Sequence, residues 1–376
     1  MLQRRPIMLF TRIEMRNDMS GFSAFLKRKN IVFSARRYGI DALGAMAQGL
    51  FCSLLIGTII RTLGQQAGIG TLVDIGSYAM AMSGQAMAVA IGYALSADPL
   101  VLFSLASGGW AANAEGGAGG PLAVLIIAIV AAEFGKAVSK ETKIDILVTP
   151  AVTILVGVAL AKLIAPPIGS AASAFGLMID SATKLAPFAM GIAVSVLVGI
   201  ALTLPISSAA ICSVLGLTGL AGGAAVAGCC AQMVGFAVLS YRENGVGGLI
   251  SQGLGTSMLQ MPNIVKNPRV WIAPILASAV TGPVATCLFG LEMNGAPINS
   301  GMGTCGLCGP IGVVTGWVAP TEEAIAKGAA AIAPGAADWL GMVLICFVLP
   351  AVLTLVFGEV LRRMGWIKDG DLTLKA

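Results

Sequence analysis

Eight stretches of roughly twenty residues run through this chain almost without charge. They lie near 42–63, 72–97, 121–138, 145–165, 187–204, 210–240, 270–291 and 338–361. About 20 apolar residues at 1.5 Å each match the hydrocarbon thickness of a bilayer, so each run is long enough to cross as a helix. Shorter apolar pieces lie near 99–107, 247–261 and 303–319. Together the runs predict an all-α polytopic membrane protein of about ten transmembrane helices. Composition agrees. Charged residues make up 11% of the chain and hydrophobic ones 57%, with mean hydropathy +0.89. A water-facing surface needs about a quarter charged. The runs are continuous, not alternating, which excludes a β-barrel. The 49 glycines suit close helix packing in lipid.

Charge is distributed unevenly. Nine Lys/Arg (Arg4, Arg5, Arg12, Arg16, Lys27, Arg28, Lys29, Arg36 and Arg37) fall in residues 1–40, against Glu14 and Asp18. Arg362, Arg363 and Lys368 follow the last run. Basic flanks of spans mark the cytoplasmic side, so both termini are expected there, in a bacterial inner membrane, with an even span count. Nucleic acid is not implied. The expected divisions are a basic, amphipathic segment 1–40, a transport domain 41–364 and a cytoplasmic tail 365–376. Phe22, Phe25, Leu26, Ile31, Val32 and Phe33 among basic residues suit a segment lying on the membrane surface. The first run lacks a small-residue cleavage site and reads as a retained helix.

Several chemistries are excluded. No histidine occurs, which removes Ser-His-Asp catalysis, haem ligation by His and phosphohistidine on this chain. Phe134-Gly-Lys-Ala137 lacks the glycine spacing and hydroxyl of a nucleotide-binding P-loop. No arginine ladder of a voltage sensor occurs. Of eight cysteines, Cys52, Cys212, Cys287 and Cys346 lie in apolar runs as small packing residues. Cys305-Gly-Leu-Cys308 stands alone, without a second ligand pair, so no metal and no cofactor is expected.

One internal echo stands out. Glu115-Gly-Gly-Ala-Gly-Gly-Pro-Leu-Ala123 resembles Glu243-Asn-Gly-Val-Gly-Gly-Leu-Ile-Ser251. Further on, Lys143-Ile-Asp-Ile-Leu-Val-Thr-Pro150 resembles Asn267-Pro-Arg-Val-Trp-Ile-Ala-Pro274. A structural repeat of this kind is common in secondary transporters. The two basic turns favour a parallel repeat over an inverted one.

Polar groups kept inside spans are usually functional. Two Gly-rich segments, 107–120 and 290–310, are too dense in Gly and Pro for regular helix and are expected as unwound, re-entrant hairpin loops. They carry Asn113 and Glu115, and Glu292, Asn294 and Asn299. Carboxylates with amides form the donor–acceptor set that hydroxylated solutes need, so these five are the candidate substrate-binding residues; the alternative is two exposed loops. Asp98 and Asp145 read as helix-boundary charges, and Glu243 as a partner for Arg242. Gln232, Gln252 and Gln260 either line a path or bond between helices.

Three segments carry a family resemblance: Arg37-Tyr-Gly-Ile-Asp-Ala-Leu-Gly-Ala-Met-Ala-Gln-Gly-Leu-Phe51, Lys143–Pro150 and Gly290-Leu-Glu-Met-Asn-Gly-Ala-Pro297. The chain resembles the EIIC-type membrane component of bacterial sugar phosphotransferase systems, nearest its stand-alone, toxin-regulator-like branch, from about Phe25 to the last span. The resemblance implies a homodimer with elevator architecture, a scaffold part and a mobile part in each protomer, and separate EIIB and EIIA proteins as partners. Gly290-Leu-Glu292 stands where that family has a Gly-Ile-Thr-Glu element that binds sugar hydroxyls; the Thr is absent here. The family's substrate-site histidine has no counterpart, and no EIIB or EIIA domain is fused, which puts coupling to phosphorylation in question.

The leading function is therefore membrane transport of a small polar solute, a sugar or related hydroxylated compound. The alternatives are a membrane sensor that regulates gene expression through the basic segment, a channel, and an intramembrane enzyme.

Overall fold

A computed structural model describes residues 21–374; the basic residues Arg4, Arg5, Arg12 and Arg16 lie outside these. The described chain is helical almost throughout, as the continuous apolar runs require, and it is an all-α polytopic membrane protein. Its helices are α1 (Arg37–Ala67), α2 (Gly70–Ala81), α3 (Ser83–Ala94), α4 (Pro99–Gly116), α5 (Gly120–Val138), α6 (Asp145–Thr183), α7 (Pro187–Thr203), α8 (Ser208–Val214), α9 (Gly219–Leu239), α10 (Tyr241–Ile250), α11 (Met261–Lys266), α12 (Pro268–Leu288), α13 (Cys308–Val318), α14 (Glu322–Ala326) and α15 (Ala336–Arg363).

Six helical segments among the described residues are long and apolar enough to cross a membrane: α1, the α4–α5 segment, α6, α9, α12 and α15. Shorter apolar helices sit at Pro187–Thr203 and Cys305–Val318. The expectation of about ten separate spans thus resolves differently. The run 72–97 is divided at Met82 into α2 and α3 of 12 residues each. Run 210–240 is divided by the turn at Gly216 and Gly219, both of positive φ. Run 145–165 continues without a break to Thr183, through Pro150, Pro166 and Pro167.

The helices form two bundles. The first gathers α1, α3, α4, α5 and α6 around Met46, Met87, Ile91, Leu105 and Ile127. The second gathers α7, α9, α12 and α15 around Val194, Val198 and Met233 on one side and Val226, Cys230 and Ile345 on the other. Backbones approach closely in both. Gly108 of α4 meets Gly157 of α6, and a methyl on Gly228 of α9 would lie 1.9 Å from the carbonyl oxygen of Ser195 in α7. Small residues make this possible where lipid offers no hydrophobic drive between helices.

Polar side chains concentrate at one end of both bundles. There, a helix over 21–28 is tied to the α5–α6 turn by Arg28 and Lys29 on Glu141, at 2.8 and 2.5 Å. Asp98, in the N-cap position before Pro99, takes Lys140 at 2.6 Å, and Asp145 opens α6. Both are the boundary charges expected. In the second bundle the same end carries Lys266, Arg269 and a buried pair, Arg362 with Glu243 at 2.8 Å. Glu243 therefore pairs with a residue of α15. Arg242, the partner expected for it, instead faces Glu359 at 3.6 Å.

The residues after α15 turn back as a strap. Leu372 carbonyl accepts from Asn244 Nδ2 (2.9 Å) and Gln260 Nε2 (3.0 Å), and Thr373 carbonyl from Asn263 Nδ2 (2.9 Å). Leu372 and Ile367 are buried.

Candidate functional site

The chain between α12 and α13 is unwound, as the density of Gly and Pro in 290–310 predicts. Its path follows from its contacts with α9. Met293 makes a two-bond bridge with Gly219 at the start of α9, both bonds at 3.0 Å. Ten residues on, Gly303 packs its backbone against Cys229 and Cys230, halfway along α9. Then α13 returns, and Gly316 lies against the backbone of Asn294. The segment enters the second bundle, turns at its middle and leaves by the same end, which makes it a re-entrant hairpin. Bare glycine surface allows this: a methyl on Gly223 would sit 1.8 Å from the carbonyl oxygen of Leu291.

Glu292 and Asn294 stand at the mouth of this hairpin. Asn294 Nδ2 donates to Glu292 Oε2 at 2.8 Å, while Asn294 Oδ1 accepts from Gly219 N at 3.1 Å. Asn294 is buried and fixed from both sides; its own carbonyl takes Thr321 N at 3.0 Å. The exposed Glu292 carboxylate is thus oriented by a rigid amide. Both residues line a cavity of about 90 Å³ with Phe289, Trp317, Ile332 and Asp338. Trp317 stacks edge-on with Trp339, centroids 5.1 Å apart. The cavity lies at the end of α12 and α15 away from Lys266, Arg269 and Arg362. Trp317 and Asp338 were not among the sequence candidates. A Trp and an Asp bracketing the polar stretch before the last apolar run were the available signal.

The other candidates are elsewhere. Asn299 is half-buried against Gly312 and does not reach the Glu292 cavity. Segment 107–120, expected as unwound, is helical up to Gly116; α4 breaks only at Gly117, with φ 50°. Burial of Gly108 and Gly109 against Gly157 and Gly84 outweighs their poor helix propensity. Asn113 packs on α3, 3.5 Å from Ser83 Oγ, and on Gly120. Glu115 pairs with Lys162 of α6. Neither residue lines the cavity that holds Glu292. Gln232, Gln252 and Gln260 bond between elements: Gln232 accepts from Trp271 Nε1, Gln252 donates to Ser240, and Gln260 donates to Gln252, each at 2.8 Å.

A second interrupted segment, 241–266, lies at the basic end. Gly245 takes φ 58°, ψ −153°, matching Gly117 at φ 50°, ψ −121°; these glycines are equivalent in the echo between Glu115–Ala123 and Glu243–Ser251. Beyond Ile250 the helix widens and gives way to irregular turns. Ser257 reaches inward to Thr203 at 2.8 Å. The two interrupted segments enter from opposite ends and touch where Thr304 meets Gly253.

No curated protein and no solved structure matches the chain. The profile of the family described as "Phosphotransferase system, EIIC" matches residues 40–374, from the start of α1 through the strap, and so takes in both bundles and both interrupted segments. The chain belongs to the EIIC family, the membrane components of the phosphotransferase system.

Proposed function

We propose that the protein carries a small hydroxylated solute, a sugar or related compound, by alternating access, with Glu292 and Asn294 making the first polar contacts. The observation that carries this reading is the meeting of two interrupted segments from opposite ends of one bundle. Unwound backbone at membrane depth is tolerated where it lines a solute path. Glu292 supplies a charged acceptor held by Asn294, suited to solute hydroxyls, and Trp317 supplies an apolar wall. In this reading the first bundle is the scaffold and holds the homodimer together. The second bundle, connected to the first by α6 and packed against it where Phe236, Leu239 and Leu361 join the first bundle's core, moves as an elevator. Both termini are cytoplasmic in the inner membrane.

Transport in this proposal does not require a phosphoryl group on the chain. Histidine is absent, and of the eight cysteines only Cys52 and Cys287 are exposed, each within a membrane-spanning segment and away from the Glu292 cavity. Membrane vesicles lacking phosphoenolpyruvate should therefore still equilibrate the solute. A strict requirement for phosphoenolpyruvate would overturn this part and make separate EIIB and EIIA partners obligatory.

A further inference from the structure

The helix over 21–28 and the turn after it are mounted on the first bundle by bonds that use four cations. Arg28 and Lys29 pair with Glu141. Lys136, itself buried, donates to the carbonyl oxygen of Asn30 at 2.8 Å, and Arg37 donates to the same oxygen at 3.0 Å. Ile31, next in the chain, is buried. The segment is thus fixed against the α5–α6 turn.

What it leaves outward is apolar and basic together. Phe22, Val32 and Phe33 are exposed, Phe33 by 73%. Lys27 and Arg36 beside them, and Lys143 in the α5–α6 turn, are exposed and make no ion pair among the described residues. Residues 21–37 hold five Lys/Arg and no Asp or Glu. Lys143 fixes the depth of this face. It stands just ahead of α6, whose outward side carries the exposed Ile146, Leu147, Leu155 and Leu163. Such a side of a spanning helix faces acyl chains, so a cation at its start sits at headgroup level.

Bulk water would leave Phe22 and Phe33 unburied, and acyl chains would leave Lys27 and Arg36 without a counter-charge. The boundary between headgroups and acyl chains accepts both, and the cytoplasmic leaflet supplies the negative charge. We infer that this face binds the anionic phospholipid headgroups of the protein's own bilayer, with Lys27, Arg36 and Lys143 on the phosphates and Phe22 and Phe33 inserted beside them. The inference holds whatever the solute is. It makes the first bundle the part tied to the membrane surface.

The wild-type chain is placed in nanodiscs of phosphatidylcholine alone and of phosphatidylcholine mixed with phosphatidylglycerol. Amide hydrogen exchange is read by peptide mass spectrometry over 21–36, with α9 as the internal reference. One cation at an anionic surface contributes about five-fold in binding, so the mixed discs should slow exchange of 21–36 by at least about five-fold. Raised salt should cancel most of that protection, because exposed charges are screened. The triple variant Lys27→Gln, Arg36→Gln and Lys143→Gln keeps Arg28 and Lys29 on Glu141; it should lose the response to phosphatidylglycerol with exchange in α9 unchanged. Equal exchange of the wild type in the two kinds of disc would overturn the inference. So would protection that ignores salt, or a triple variant that still responds to phosphatidylglycerol. Protection that appears only when cytosolic protein is added would assign the face to a protein partner and overturn it too. If the triple variant fails to fold, the lipid and salt responses of the wild type decide the matter by themselves.

Discussion

Thr304 Oγ1 donates to the carbonyl oxygen of Gly253 at 2.5 Å, and through that bond the tips of the two interrupted segments meet. Thr304 is fully buried, and Gly253 lies in a widened turn whose carbonyls are not all used by the helix. The bond therefore satisfies an irregular backbone that water would otherwise have to reach.

Thr304→Val keeps the shape and removes the donor. The net loss should be about 1 kcal/mol, with a larger cost of up to about 3 kcal/mol if no water replaces the hydroxyl. A fall in melting temperature of a few degrees in detergent is the expected readout, with solute affinity at Glu292 unchanged. An unaltered melting temperature would mean that the two tips are not coupled through this bond.

The ion pair between α15 and α10 makes a second prediction. Arg362 and Glu243 are nearly buried, with side-chain exposures of 10% and 8%. Arg362→Met leaves Glu243 without its cation and should cost roughly 3–5 kcal/mol. Replacing both, with Glu243→Leu added, should recover most of that loss, because well-packed apolar residues substitute for a buried pair at little cost. Thermal melts of the single and double variants decide it: a double variant as unstable as the single one would contradict the account.

Much of this architecture was legible in the sequence. Apolar runs located every long helix, Asp98-Pro99 marked a helix start, and Gly with Pro over 290–310 forced an unwound segment. Segment 107–116 misled because its glycines are poor helix formers in isolation, yet in place they let α4 touch α3 and α6. The strap was invisible. Its carbonyls are satisfied by Asn244, Gln260 and Asn263, more than a hundred residues away, and nothing in the periodicity of 365–374 announces that. Glu292 and Asn294 stand out in the sequence because amides and carboxylates are conspicuous next to an apolar run, and the structure places the two side chains in one cavity. Asp338 escaped because it reads as an ordinary charge ahead of a span.

Acid should release the N-terminal helix. Hydrogen bonding from Lys140 holds the Asp98 carboxyl below its ordinary value of 3.8. The bond from Lys29 does the same for Glu141 below 4.5. Carboxyls depressed in the folded state contribute stability fully above those ordinary values. That contribution declines as pH falls from there through the lower folded values. Limited proteolysis of residues 21–34 should therefore accelerate as pH falls below about 4, using an acid-active protease. Glu141→Gln should show that faster cleavage already at neutral pH, with a flatter pH profile. A pH-independent cleavage rate in the wild type would contradict the anchoring role.

The claim that the hairpin mouth binds solute rests on Glu292. Glu292→Gln preserves volume and one acceptor but removes the charge. Hydrogen bonds to charged groups are worth about 1.5–3 kcal/mol, so affinity should fall on the order of 10- to 150-fold. Stability should hardly change, because the carboxylate is exposed and, among the described residues, its hydrogen-bond partner is Asn294. The measurement is solute binding and melting temperature for Glu292→Gln beside Glu322→Gln, an exposed glutamate at the start of α14. The account predicts weakened binding with an unchanged melting temperature in the first variant and neither change in the second. Wild-type binding by Glu292→Gln, or its failure to fold, would contradict it.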